Sequence, residues 1–363
     1  MRPERAAQCF AVFDIGGTWF RWGLYDPVQG LGESGRAPAM SYLSHPDLNT
    51  AGLQRALVDF VGRRVREMRE DRGLEIGTIA VSVGAPVNAH TGLVLGSGPL
   101  WGPTGMSFDL QAGVREALPG TRCVIVNDVT ALLAPYMYDG VSYRKTMLIT
   151  VSTGIGSRLY DHRTDRIPYD DQYGVQGEIG HLACSFELDG QVIIRRCECG
   201  AWNHLNAFSS GRGIAQTLTE LASLSRTYRD LFPESAPSRC GASEEYRLRA
   251  FSAQLDSGSA LASSLLDDFV RPLARIVTTA ICVDPEIDRV VMTGGVARGL
   301  GTHYRDALER AFSREGLYQM SEHDRHHLTR RLSWDSVDDD FAGLRGVGLY
   351  ATRCASRSST CKE

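Results

Sequence analysis

The sequence has no excess of positive charge and no long apolar segment. Its 39 Lys and Arg residues are outnumbered by 43 Asp and Glu, which gives a formal net charge of −4. Without a long basic block, the chain offers no broad field for the phosphate backbone of a nucleic acid. No run of about 18 apolar residues occurs, and the first ten residues lack the apolar core of a signal peptide. We therefore expect a cytoplasmic protein whose partners include neither nucleic acid nor membrane.

Cysteine is sparse, and its number is odd. Nine cysteines are scattered over 363 residues, unlike the dense, even framework of a disulfide-stapled secreted domain. A reducing compartment is therefore expected. The one close pair, Cys197 and Cys199, favours a metal site, and the alternative is a reduced pair that holds no metal.

Internal repeats and low-complexity segments are also absent, so we expect a globular chain. Its 363 residues, 43% hydrophobic and 23% charged, are enough for two cores of ordinary size. Strand-like segments alternate with helix-like segments that carry apolar residues every three or four positions, which predicts an α/β protein. The predicted strands are 8–13, 19–25, 79–83, 123–126, 146–151 and 289–293, and the predicted helices span 53–68 and 265–280. Residues 182–194 and 225–257 are predicted to be surface insertions.

Three glycine-rich turns follow predicted strands. They are Asp14-Ile-Gly16-Gly17-Thr18 with the nearby Arg21, Ser152-Thr153-Gly154-Ile155-Gly156, and Thr293-Gly294-Gly295-Val296. Glycine lets the backbone approach a phosphate without interference from a Cβ, and Thr18 and Arg21 add a hydroxyl and a guanidinium. The spacing matches neither the P-loop nor the Rossmann fingerprint, and one such turn alone is equally well a hairpin turn. Three together favour a nucleotide site.

The order of these motifs resembles that of the ROK family. DIGGTxxR, the pair Asn127-Asp128, STGIG, GEIGH at 177–181 and CxCG at 197–200 follow one another as they do in that family. The family belongs to the hexokinase/actin-like superfamily and includes bacterial glucokinases, N-acetylmannosamine kinases and sugar repressors. The similarity extends from Asp14 to the GLRGVGL stretch at 343–349.

The resemblance implies a two-domain α/β fold of the actin-like ATPase (ribonuclease H-like) type, with an interdomain cleft. A small domain would comprise residues 1–128 and be completed by about 340–363. A large domain of residues 129–339 would carry a zinc loop and a dimerisation surface. Because dimers are common in the family, a homodimer is implied as well.

The resemblance also implies the chemistry. Asp128 would be the catalytic base, because sugar hydroxyls are very weak acids and a carboxylate must take the proton as the oxygen attacks the γ-phosphoryl group. The implied substrate-binding residues are Asn127, Asp128, Glu178, His181 and Asn206. The implied ATP-binding residues are Asp14, Gly16, Gly17, Thr18, Arg21, Thr153, Gly154, Gly156, Gly294 and Gly295, with the magnesium of Mg-ATP held mainly by phosphates and water. Without the resemblance, an Asn-Asp pair after a strand is more often a turn or helix cap, and Glu178 and His181 could equally be a salt bridge and a buried ring.

A structural zinc ion, one per chain, is implied by the family motif CxCGxxGC together with the histidine of GEIGH. Its ligands here would be His181, Cys197, Cys199 and His204, a Cys₂His₂ set of the kind that binds zinc tetrahedrally. The sequence departs from the motif in two ways: the gap from His181 to Cys197 is longer, and Asn203 replaces a glycine. Cys184 is an alternative ligand.

The substrate remains open at this point. Asn206 stands where most members of the family have a sugar-binding Glu, so the pocket has lost a carboxylate and is expected to favour a substrate other than plain glucose. We predict ATP-dependent phosphorylation of a primary hydroxyl of a hexose or hexose-like substrate, including an amino sugar such as kanosamine. The alternatives are a kinase for an N-acetylhexosamine or a C7-cyclitol, a sugar sensor without catalysis, and a repressor, for whose DNA-binding domain Asp14 lies too near the start.

Overall fold

The computed structural model describes residues 9–102, 105–231, 242–335 and 339–360. Most of the segment on which the signal-peptide expectation rests therefore lies outside the described residues. The strands are β1 (Phe10–Ile15), β2 (Trp19–Asp26), β3 (Gly30–Pro38), β4 (Thr78–Val83), β5 (Arg122–Asn127), β6 (Lys145–Val151), β7 (Ile155–Asp161), β8 (Phe186–Leu188), β9 (Gln191–Ile193), β10 (Ile287–Thr293) and β11 (Leu332–Trp334).

The helices alternate with these strands. They are α1 (Thr50–Arg72), α2 (Gly98–Trp101), α3 (Leu110–Ala117), α4 (Asp128–Met137), α5 (Asn206–Ser209), α6 (Gly211–Leu224), α7 (Arg226–Leu231), α8 (Ala242–Asp256), α9 (Ala260–Val283), α10 (Gly295–Gly299), α11 (Gly301–Glu315), α12 (Met320–His323) and α13 (Ala342–Thr360), with 3₁₀ turns at Ile179–His181 and Thr329–Arg331. Among the described residues, no helix is both long enough and apolar enough to span a bilayer.

The chain divides into two compact units. Unit 1 comprises the residues up to Val141, the segment Pro168–Gln176 and the residues from Asp339 onward, and unit 2 comprises Ser142–Ile167 and Gly177–Asp338. Unit 1 thus continues past the boundary expected at Asp128 and includes α4. The reason is packing, because α13 approaches α4 so closely that a Cβ on Gly346 would lie 1.9 Å from the carbonyl oxygen of Ala131.

Unit 1 is built on a five-stranded sheet in the order β3-β2-β1-β4-β5. β1, β4 and β5 are parallel, whereas β2 and β3 are antiparallel to their neighbours. One core contains the predicted apolar face of α1, whose buried residues include Leu53, Leu57, Val61 and Val65. The carboxyl ends of the three parallel strands meet at one edge, as is usual for sites in α/β proteins.

Unit 2 is built on a four-stranded sheet in the order β11-β10-β6-β7, in which β6, β10 and β11 are parallel. The predicted helix with Pro272 inside it is α9. Two predicted surface insertions are corrected by the structure. Residues 182–194 contain the β8–β9 hairpin with the buried Phe186, and the described part of 225–257 forms α7 and α8, where Phe251 is buried in the core. These elements are short or mostly polar, so their periodicity was weak.

Candidate functional site

The first glycine turn joins β1 to β2 at the edge of the unit 1 sheet. The Gly16 N–H donates to the Trp19 carbonyl at 3.1 Å, which closes the turn. Gly17 lies against the start of α2, where a Cβ would be 2.6 Å from the Cβ of Pro99. Thr18 is exposed. The predicted strand-to-strand turn is therefore present, and glycine is required at 17 by close packing.

Asp14 is a half-buried carboxylate beside this turn. Its Oδ1 accepts a hydrogen bond from Ser82 Oγ at 3.0 Å, and Arg21 Nη1 lies 3.4 Å from its Oδ2. Burial raises the pKa of Asp14, and the positive charge of Arg21 and the hydrogen bond from Ser82 act in the opposite direction. A third neighbour is Gly343 of α13, where a Cβ would lie 2.6 Å from the Asp14 carboxyl carbon. The absence of a side chain at 343 thus allows Asp14 its position.

We expect Gly343→Ala to raise the KM for ATP by about tenfold or more, because overpacking costs about 1–3 kcal/mol and here displaces the Asp14 carboxylate. The measurement is steady-state kinetics with ATP varied, alongside thermal unfolding. Gly32→Ala is the control, since Gly32 is an exposed glycine of unit 1 where a Cβ would make an ordinary 3.6 Å contact. An ATP KM for Gly343→Ala equal to that of the control would contradict the prediction.

Asn127 and Asp128 connect β5 to α4. Asn127 is the N-cap of α4, since its Oδ1 accepts from the Val129 N–H at 3.0 Å, and its Nδ2 donates to the Ala85 carbonyl and to Asp128 Oδ1. Asp128 Oδ1 also accepts from the Val129 N–H at 2.9 Å. The helix-cap alternative is therefore right for Asn127, and the same bonds fix the orientation of the Asp128 carboxylate at the edge of the sheet.

Two residues of this edge were missed by sequence reasoning. The Gly84 N–H donates to the Ile15 carbonyl at 2.9 Å, and a Cβ on Gly84 would lie 3.6 Å from Asp128 Oδ2. Ser97, the N-cap of α2, donates through Oγ to the Gly84 carbonyl at 3.0 Å. Gly84 comes directly after β4. Position at the end of a predicted strand is the signal that identified Asn127, and the same signal could have identified Gly84. The turns after β1, β4 and β5 therefore form one continuous edge within unit 1.

The other two glycine turns come together in unit 2. Ser152 joins them, because its Oγ accepts from the Gly295 N–H at 3.0 Å and its carbonyl accepts from the Gly211 N–H at 2.8 Å, at the start of α6. Gly294 has φ +103°, and a Cβ there would lie 2.4 Å from the Val151 carbonyl. Of the predicted ATP residues, Thr153 and Gly154 are exposed and Gly156 pairs with Thr150 in the β6–β7 ladder.

Glu178, His181 and Asn206 also belong to unit 2. Glu178 precedes the 3₁₀ turn Ile179–His181 and is half-buried, and the His181 N–H donates to its carbonyl at 3.0 Å. Asn206 begins α5, and its Oδ1 accepts from the Ile155 N–H at 2.7 Å. The side chain of Asn206 is thus held by the second glycine turn.

The four predicted metal ligands form one cluster. The ligand atoms of His181, Cys197, Cys199 and His204 all lie within 4.8 Å of one another, and Cys184 is not among them. Cys199 Sγ is 3.1 Å from His204 Nδ1, and Cys197 Sγ is 3.9 Å from His181 Nδ1. Tetrahedral zinc with bonds of about 2.0–2.3 Å places its ligand atoms roughly 3.3–3.8 Å apart, so the four side chains fit such an ion.

The local backbone explains the departures from the family motif. Asn203 has φ +57°, a left-handed conformation that favours glycine and that Asn tolerates better than most residues. The β8–β9 hairpin fills the longer gap between His181 and Cys197. Burial and, to a smaller extent, the charge of the nearby His181 lower the pKa of His204. The imidazole ring is therefore neutral at pH 7, which is the form that binds a metal. Burial is also the main cause that raises the pKa of Cys197.

Comparison with known proteins gives consistent matches. The ROK family model matches residues 11–349. A 2-epi-5-epi-valiolone 7-kinase from Actinoplanes sp. is 40% identical over 324 residues, which covers 88% of this chain and 87% of that protein. A C(7)-cyclitol 7-kinase from Streptomyces hygroscopicus subsp. limoneus is 30% identical over 345 residues, covering 94% and 93%.

Solved structures match over most of their length. A ROK hexokinase from Thermus thermophilus has a TM-score of 0.67 at 20% identity, covering 96% of this chain and 99% of that one. A ROK family glucokinase from Streptomyces griseus, in complex with glucose and AMPPNP, has a TM-score of 0.68 at 16% identity, covering 94% and 98%. At these identities the likeness concerns the fold alone, and it confirms the predicted two-domain α/β actin-like fold.

Proposed function

This chain belongs to the ROK family, and we propose that it is an ATP-dependent kinase that phosphorylates the exocyclic primary hydroxyl of a C7-cyclitol. The observation that carries the substrate class is the 40% identity to the valiolone 7-kinase across 88% of the chain. The glucokinase from Aeropyrum pernix, by contrast, is 25% identical over a similar share. The relatives thus favour the C7-cyclitol alternative over the hexose or kanosamine reading that the sequence placed first.

In the proposed reaction, Asp128 takes the proton of the primary hydroxyl as its oxygen bonds to the γ-phosphorus of ATP. The bond from that phosphorus to the β,γ-bridging oxygen breaks, and ADP leaves. The bonds from Asn127 Nδ2 and the Val129 N–H to Asp128 Oδ1 support this role, because a base must be held in a fixed orientation. Glu178 and His181 are proposed to bind the hydroxyls of the acceptor.

The glycine turns are proposed to receive the nucleotide phosphates. In unit 1 the candidates are Gly16, Gly17 and Thr18, with Asp14 and Arg21 beside them. In unit 2 they are Thr153, Gly154, Gly294 and Gly295, and Ser152 holds the two turns together. Magnesium bound to ATP would neutralise charge that develops on the transferred phosphoryl group. The carboxylate of Asp14 is proposed as a neighbour of this cation, because Mg²⁺ takes carboxylate oxygens beside its phosphate and water ligands.

We expect 2-epi-5-epi-valiolone to be phosphorylated with a kcat/KM at least about tenfold above that of glucose, because a pocket built to hydrogen-bond one hydroxyl pattern leaves polar groups unpaired with another. An ADP-release assay over cyclitols, glucose, kanosamine and N-acetylglucosamine measures this. Phosphorus NMR of the product should place the phosphate on the exocyclic oxygen.

The matched control for this panel is the 7-deoxy analogue, which retains the ring hydroxyls and lacks the accepting one. It should inhibit without being phosphorylated. Turnover of glucose that equals or exceeds turnover of every cyclitol would contradict the proposed substrate class.

A further inference from the structure

Asn206 links α5 to the second glycine turn. It lies two residues after the metal-cluster residue His204, and its Oδ1 accepts a hydrogen bond from the Ile155 N–H at 2.7 Å. Ile155 is the fourth residue of the Ser152–Gly156 turn. A backbone N–H in this turn is therefore satisfied by a side chain from another element, and the turn is anchored there.

The turn that carries Glu178 and His181 packs against the side-chain amide of Asn206. A Cβ on Gly180 would lie 2.6 Å from Asn206 Oδ1, 2.7 Å from its Nδ2 and 2.2 Å from the Ile155 carbonyl oxygen. Real Cβ atoms do not approach other atoms this closely, so position 180 accepts only glycine. The Asn206 amide is thus in contact with both the Ser152–Gly156 turn and the turn that contains Gly180.

We propose that Asn206 is a positioning residue that fixes these two turns relative to each other. One turn is the proposed phosphate site and the other carries proposed acceptor ligands, so the inference rests on the proposed kinase function. The sequence analysis expected Asn206 to contact the substrate directly, as the Glu at this position does in the family. The positioning role is proposed in place of that contact. The consequence is specific: loss of the hydrogen bond affects every acceptor by the same factor, because it disturbs the site and not the reading of one hydroxyl.

Two substitutions separate the hydrogen bond from the size of the side chain. Asn206→Asp keeps an oxygen that accepts from the Ile155 N–H, whereas Asn206→Leu has a similar size and no acceptor. Because a misplacement of about 1 Å can cost about 10²-fold in rate, we expect Asn206→Leu to lower kcat/KM for ATP by about 10- to 100-fold. Asn206→Asp keeps the acceptor but adds a negative charge beside the proposed phosphate turn, so we expect a smaller loss than in Asn206→Leu, with the ranking of acceptors unchanged in both variants.

Asn49→Ala is the matched control. Asn49 Oδ1 accepts from the Gly52 N–H at 2.8 Å, so this variant loses the same kind of bond at the N-cap of α1 in unit 1. We expect it to lower the melting temperature by about 2–4 °C and to leave kcat/KM unchanged. An equal kinetic loss in Asn49→Ala and Asn206→Leu would overturn the proposal, since the loss would then reflect stability alone.

Two further results would also overturn it. One is a change in acceptor ranking in Asn206→Asp, whose side chain has nearly the same shape as asparagine; such a change would reveal a direct substrate contact. The other is equal damage in the Asp and Leu variants. Calorimetric affinity for a non-hydrolysable ATP analogue keeps this test independent of the proposed function: if wild type phosphorylates no acceptor, Asn206→Leu should still bind the analogue about tenfold more weakly than Asn206→Asp.

Discussion

Replacement of Asp128 by asparagine is expected to lower kcat by about 10²–10⁴-fold while the KM for the acceptor changes little. The loss corresponds to about 2.7–5.5 kcal/mol of activation free energy. Asparagine keeps an Oδ1 that accepts from Asn127 Nδ2 and from the Val129 N–H, so the junction of β5 and α4 should retain its geometry. What asparagine lacks is the ability to take a proton from the hydroxyl. Steady-state kinetics with the best acceptor measures the effect.

Asp109→Asn is the control for this experiment. Asp109 caps α3, where its Oδ1 accepts from the Ala112 N–H at 2.8 Å, so the variant makes the same chemical change at a helix N-terminus of unit 1. It should leave kcat within about twofold of wild type, because an asparagine caps a helix as well as an aspartate does. A kcat for Asp128→Asn within a few-fold of this control would show that Asp128 is not the base.

Sequence reasoning found those parts of the site that are encoded locally. The turn at Gly16-Gly17 follows a strand and the cap at Asn127 ends one, and in both cases the apolar residues and the polar end are contiguous in the chain, so a short window identifies them. β3 was missed because its residues Gly30–Pro38 are mostly polar or glycine, which is typical of an edge strand and gives no apolar alternation. The Pro168–Gln176 segment was not predicted to belong to unit 1 either.

That segment joins unit 1 through contacts that no local pattern reveals. The Ala89 N–H donates to the Gly174 carbonyl at 3.0 Å, and the Tyr169 hydroxyl lies 3.3 Å from Thr130 Oγ1. The same limit applies to Gly343 beside Asp14 and to the direction in which Asn206 points. Each depends on residues far apart in sequence that only the folded sheet and helices bring together. The chemical type of a residue is visible in the sequence, whereas its contacts often are not.

The proposed zinc loop is held by more than its four metal ligands. Arg195, two residues before Cys197, is buried and donates to the carbonyls of Ala207 and Gly213 and to Thr217 Oγ1 at 2.7–3.3 Å. The Leu205 N–H also donates to the Leu182 carbonyl at 2.9 Å. Loss of the metal should therefore loosen the loop without unfolding all of unit 2, unlike a zinc finger, which is unfolded without its ion.

We expect freshly purified protein to contain about one zinc per chain, and Cys199→Ser to lose most of it. Because His181 would bind the metal within the turn that also carries Glu178, zinc loss should lower activity and stability together. Each kcal/mol of lost unfolding free energy lowers the melting temperature by about 2–4 °C in a unit of this size, and we expect a drop of about 5–10 °C. Elemental analysis, thermal unfolding and acceptor kinetics on the same preparations measure the three effects.

Cys282→Ser, which changes an exposed cysteine outside the cluster, and Cys184→Ser, which tests the alternative ligand, should both keep the zinc. Full zinc content in Cys199→Ser, or none in wild type, would exclude the proposed site, because a tetrahedral Cys₂His₂ site needs both of its thiolates.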